Sequence, residues 1–106
     1  MEELKRKVLN LKELINYQKG AIVSKTLINK ATGTVTLFSF DKDQGLSEHT
    51  APFDALILVL EGEVEITLSG EPFKLKTGEM LIMPAHEPHK LKALTEFKML
   101  LVMIKA

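Results

Sequence analysis

The sequence predicts an all-β domain, a sandwich or barrel of short strands preceded by a short N-terminal helix. Three observations carry this. Short β-branched and apolar segments recur at close intervals from residue 21 onward, turn residues stand between them, and the first 19 residues follow a different period.

In the first 19 residues, Leu4, Val8, Leu11 and Ile15 fall at i, i+4, i+7 and i+11 with charged residues between them. That stripe predicts an amphipathic helix over residues 1–19, ended by Gly20. Residues 20–106 then form the barrel. Segments 21–28, 34–40, 53–60, 63–68, 72–76, 79–83, 89–94 and 97–105 predict eight strands. Their breaks hold Gly, Asp, Ser or Pro: Ala31-Thr32-Gly33, Asp43-Gln44-Gly45, Glu61-Gly62-Glu63, Ser69-Gly70-Glu71-Pro72 and Thr77-Gly78-Glu79. Residues 63–69 alternate cleanly, with Val64, Ile66 and Leu68 opposite Glu63, Glu65, Thr67 and Ser69, so that strand has one wet face. In residues 97–104 both parities are mostly apolar, which requires a cover on both faces. The N-terminal helix or a second subunit supplies the second cover, and a homodimer is the expectation.

Composition closes several doors. A chain of 106 residues is one domain with a real core. Without cysteine there is no disulfide, thiolate zinc site, cysteine-held iron–sulfur cluster or cysteine nucleophile, so a metal would rest on His, Asp or Glu. Fourteen basic residues balance fourteen acidic ones, which argues against a nucleic-acid partner. The longest apolar runs, 55–60 and 99–104, fall far short of the roughly 18 residues of a membrane span, and the charged start Met1-Glu2-Glu3 does not read as a signal peptide. No membrane partner is expected, and the cytoplasm is the expected address.

Three stretches then carry a likeness: Gly45-Leu46-Ser47-Glu48-His49, the turn Val59-Leu60-Glu61-Gly62-Glu63, and Gly78 followed by Pro84 and His89. Together they resemble the cupin superfamily over about half of the chain. The resemblance implies a jelly-roll barrel of two sheets, a double-stranded β-helix. Family members hold a divalent metal on two histidines separated by one residue, a following glutamate, and a histidine of the second motif. His49 matches the second histidine of the pair and His89 the histidine of the second motif. Ser47 stands where the first histidine would be, and Ala55 where the glutamate would be.

The ligand candidates are therefore His49 and His89, with Asp54 or His86 completing the shell around iron, manganese, zinc or nickel. If residues 53–60 form a regular strand, Ala55, Ile57 and Val59 share the inner face and Asp54 points away, unless a bulge turns it inward. Otherwise Asp54 is a solvated or turn-capping residue. Glu48 neighbours His49 and faces oppositely in an extended strand. His86, between Pro84 and Pro88, is a third imidazole ligand, a residue of the barrel mouth, or an exposed loop histidine. Strand parity assigns Ile57, Val59, Met80 and Ile82 or Met83 to the pocket, and Ser47 joins them as the residue at the motif position of the first histidine. The single Arg6 lies outside the barrel, so the ligand is small and mostly uncharged. Two functions follow: a metal-assisted dioxygenase or isomerase acting on a small organic substrate, or a metal-free barrel that binds or senses a small molecule.

Overall fold

The computed structural model describes residues 2–106, and among them nine strands form two antiparallel sheets. The strands are β1 (Ile22–Lys30), β2 (Gly33–Phe40), β3 (Gly45–His49), β4 (Phe53–Glu61), β5 (Glu63–Leu68), β6 (Glu71–Lys76), β7 (Met80–Met83), β8 (His89–Ala93) and β9 (Phe97–Lys105). One sheet runs β1-β2-β9-β4-β7 and the other β3-β8-β5-β6. Consecutive strands such as β4 and β5 lie in different sheets, as a jelly roll requires. The inner faces share one core in which Phe40, Ile57, Val59, Val64, Ile66, Phe97 and Met99 are all but inaccessible to solvent. Phe40 and Phe97 stack at its centre, ring centroids 4.6 Å apart.

All eight predicted strands are present. The ninth, β3, lacks an apolar alternation to announce it. It is an edge strand, and four of its five residues are exposed.

The predicted amphipathic helix does not form. Only Glu2–Leu4 and Leu11–Glu13 make single 3-10 turns, and the left-handed φ of +63° at Arg6 interrupts any helix between them. Val8, one of the four stripe residues, stands fully in solvent, whereas Ile15 is buried. The reason lies in the backbone. An isolated helix of this length is marginal in water, and the barrel instead takes hold of main-chain carbonyls along the segment. Lys98 Nζ donates to the Lys12 carbonyl at 2.6 Å, and Ser39 Oγ to the Asn16 carbonyl at 2.9 Å. Tyr17 OH donates to Glu61 Oε2, and the Lys98 ammonium sits 5.0 Å from the centre of the Tyr17 ring. Residues 12–17 thus form a strap across the outside of the five-stranded sheet.

The strap covers only part of that face. Register places Ile82, Leu56, Val102, Val35 and Ile28 in one row across all five strands, each on the outer side. Ile82 and Ile28 are about half exposed. The two-faced apolar character of β9 therefore has a partial cover in the strap and an open remainder.

Candidate functional site

The site begins with a defect in β3. Leu46 pairs with Leu91 and His49 with His89, so three steps along β3 face two along β8. The extra residue is a β-bulge. In a regular ladder Glu48 would share the inner face with Leu46, and His49 would turn outward. The bulge reverses that, bringing His49 beside His89 with ring centroids 4.3 Å apart in an edge-to-face arrangement.

Both rings are fixed by their own backbone. His49 Nδ1 lies 2.8 Å from the Ser47 carbonyl, and His89 Nδ1 lies 3.1 Å from that of Glu87. A carbonyl only accepts, so each Nδ1 carries a proton, and the tautomer of each ring that has a lone pair has it on Nε2. Ser47 therefore serves through its main chain; its exposed side chain does not line the cavity.

His49 and His89 stand at one side of a cavity of about 60 Å³ inside the barrel. The walls are otherwise apolar. Leu46 and Leu91 come from the four-stranded sheet, Phe53, Ala55, Ile57, Met83, Met99, Leu101 and Met103 from the other, and Ala51 from the connection between β3 and β4. His89 is nearly buried, whereas His49 is solvent-exposed.

The other expected site residues are placed elsewhere. Asp54 keeps to the outer face, because β4 is regular there and bulges only between Val59 and Glu61. Its Oδ1 accepts from the Ala85 amide at 2.9 Å, which makes it a cap for the loop before His89. His86 is exposed on that loop at a left-handed φ of +71°, its amide bonded to the Ala51 carbonyl. The far side of the loop is tied by the Ser69 amide to the Pro88 carbonyl and by Ser69 Oγ to Glu87 Oε1. Ile57 lines the cavity, and Val59 is buried in the core without lining it. Met80 and Ile82 point outward, half exposed, and Met83 takes the place assigned to them. All of residues 80–83 are apolar, so hydropathy cannot tell the two faces apart. Pairing of Met83 with inward Ala55 decides it.

The residues present do not fit a hard divalent metal. Two imidazoles face the cavity without a carboxylate, and the position expected for one is Ala55. Among the described residues no group of three or more His, Cys, Asp or Glu is arranged to hold a metal ion. No helix among them is long and apolar enough to cross a membrane.

Comparison with known proteins agrees with this architecture. Residues 36–105 match the family model described as the cupin domain. A conserved protein of unknown function from Streptococcus pyogenes superimposes with a TM-score of 0.92 at 37% identity, over 95% of this chain and 89% of that one. A cupin 2 conserved barrel domain protein from Leptotrichia buccalis gives 0.88 at 47% identity, over 92% of this chain and 47% of that one. The polyketide synthase protein CurC of Streptomyces cyaneus is 26% identical over 98 residues, 87% of this chain, and the match spans 64% of its length. The family match covers most of the barrel, and the likeness in structure extends over nearly the whole chain: this protein belongs to the cupin family.

Proposed function

We propose that the barrel binds a small, mostly apolar organic molecule through a hydrogen-bond donor on that molecule, in a binding or sensing role. The observation that carries this is the pair of Nδ1–H bonds to backbone carbonyls, which leaves two Nε2 lone pairs at the edge of an apolar cavity. Both nitrogens accept. A hydroxyl or N–H on the ligand completes them, whereas an ether or ketone leaves them unmatched. No hydroxyl, thiol or carboxylate side chain lines the cavity, so the polar groups that meet a ligand there are the two imidazoles. The cavity is small beside the roughly 300 Å³ and upward of drug-sized pockets, but Met83, Met99 and Met103 are unbranched and repack readily. Likeness to a polyketide synthase protein accords with a small organic ligand.

The test is calorimetric titration of metal-free protein with matched pairs of small phenols and their methyl ethers. The phenol should bind more tightly, and His89→Phe should weaken it by about 1–3 kcal/mol, the worth of a buried hydrogen bond to a group left unpaired. Equal binding of phenol and ether would refute the reading. The same proposal takes the protein as a homodimer, joined through the open apolar row of the five-stranded sheet. A contiguous apolar face of that kind is what such an interface buries.

A further inference from the structure

We propose that the cavity is also a site for a soft monovalent cation, Cu(I), held by Nε2 of His49 and His89 together with the thioether sulfurs of Met83 and Met103. The inference starts from the failure of the divalent fit. Ala55 occupies the place where the family resemblance expects a carboxylate. On β7 its cross-strand neighbour is Met83 and on β9 it is Met103, so the three form one rung, Met83–Ala55–Met103, on the inner face. Directly paired residues on one face lie within side-chain reach of each other. The small Ala55 leaves the rung's space to the two methionines, and both line the cavity that also holds the imidazoles.

The donor set is thus two nitrogens and two thioethers, all neutral. Thioether and imidazole together select Cu(I), whereas magnesium, calcium and manganese prefer oxygen. Charge points the same way. Burial of an ion in an apolar cavity costs free energy that grows with the square of its charge, so a monovalent ion is charged about a quarter of the divalent penalty. With no carboxylate on the wall to offset a second positive charge, the monovalent ion is the one this cavity admits. The Nδ1–H bonds to backbone carbonyls supply the orientation that metal-bound histidines need, fixing the tautomer that presents Nε2.

The inference does not depend on an organic ligand, and its test reads metal alone. Untagged protein is titrated anaerobically against the coloured Cu(I)–bicinchoninate complex. Transfer of a single equivalent is expected, with sulfur as well as nitrogen neighbours in the copper X-ray absorption spectrum. Met83→Leu with Met103→Leu preserves core volume and should lower Cu(I) affinity by at least about tenfold, the loss typical when even an outer partner of a metal ligand is removed. Met80→Leu, on the outside of the barrel, should change nothing. The double variant keeps both imidazoles, so the preference for a phenol over its methyl ether, which reads those nitrogens, should survive even where the leucines change the affinity. No transfer from bicinchoninate, undiminished transfer to the double variant, nitrogen-only scattering, or equally tight retention of Zn(II) would each overturn the proposal.

Discussion

Gly62 joins β4 of one sheet to β5 of the other, and replacing it by alanine tests how tightly the two layers are coupled. Its φ is +85°, and a Cβ there would lie 2.1 Å from the Glu96 carbonyl oxygen, 2.6 Å from Phe97 Cβ and 2.8 Å from Phe97 Cα. None of those atoms is the free end of a flexible chain. Phe97 is fully buried and stacked on Phe40, so relief requires moving the turn before β9 against the packed core. Gly78 provides the control, because its φ is +86° yet nothing lies within 4 Å of its would-be Cβ. Gly78→Ala should therefore cost only the left-handed strain, about 1–2 kcal/mol, partly offset by the stiffer unfolded chain. Gly62→Ala adds an overpacking cost of about 1–3 kcal/mol. Urea unfolding of both variants measures the difference directly, and about 4–8 °C of melting temperature accompanies each kcal/mol in a domain of this size. Equal destabilisation by the two variants would refute the claim that β4 and β9 meet too closely at this turn for a side chain.

Tyr17 is the single tyrosine, so near-ultraviolet phenolate absorbance reports it alone. Burial first, then its hydrogen bond to Glu61, raises its pKa above the ordinary value of 10.0. The strap contact should accordingly be fully present below about pH 10 and lost as pH rises through the higher folded value; a phenol titrating at its ordinary value in the folded protein would contradict this. Asp54→Ala should cost about 0.5–1.5 kcal/mol by removing the cap on Ala85 and should quicken amide exchange there. Ligand binding to the histidine pair should persist, and its abolition would restore Asp54 as a site residue. Val102→Glu places a charge in the middle of the open apolar row and should convert a sedimenting dimer into a monomer; wild-type protein sedimenting as a monomer at micromolar concentration would exclude that interface.

What was legible in the sequence, and what was not, follows the range of the interactions concerned. The eight strands announced themselves because each carries its own apolar pattern between turn residues, as in the clean alternation of residues 63–69. His49 and His89 were placed in one pocket through motif positions, and they do stand together. The N-terminal stripe Leu4, Val8, Leu11 and Ile15 misled because periodicity records what a helix would bury and says nothing of Lys98 and Ser39, far along the chain, which hold carbonyls of that segment. Met80 and Ile82 were assigned to the cavity for a related reason. An all-apolar strand does not reveal its inner face until register with Ala55 is known. The β3 bulge was equally hidden, since it is visible only in the pairing with β8.

That bulge is also what gives the cavity its chemical character. With regular pairing beyond Leu46, Glu48 would oppose His89, and the barrel would present a carboxylate beside an imidazole, a harder and negatively charged pair. The extra residue replaces the carboxylate by a second imidazole. Ala55 at the centre of the methionine rung removes charge on the facing sheet, and Asp54 is kept outside by the regularity of β4 at that point. Three independent local features, one bulge, one small residue and one regular stretch, thus act in the same direction. Each removes an anionic donor from the cavity while the imidazoles and thioethers remain, so the chemistry offered to a ligand is neutral and electron-donating. An alcohol, a phenol and a soft monovalent cation share the property that answers it: each completes a lone pair without bringing in a charge that requires a buried carboxylate.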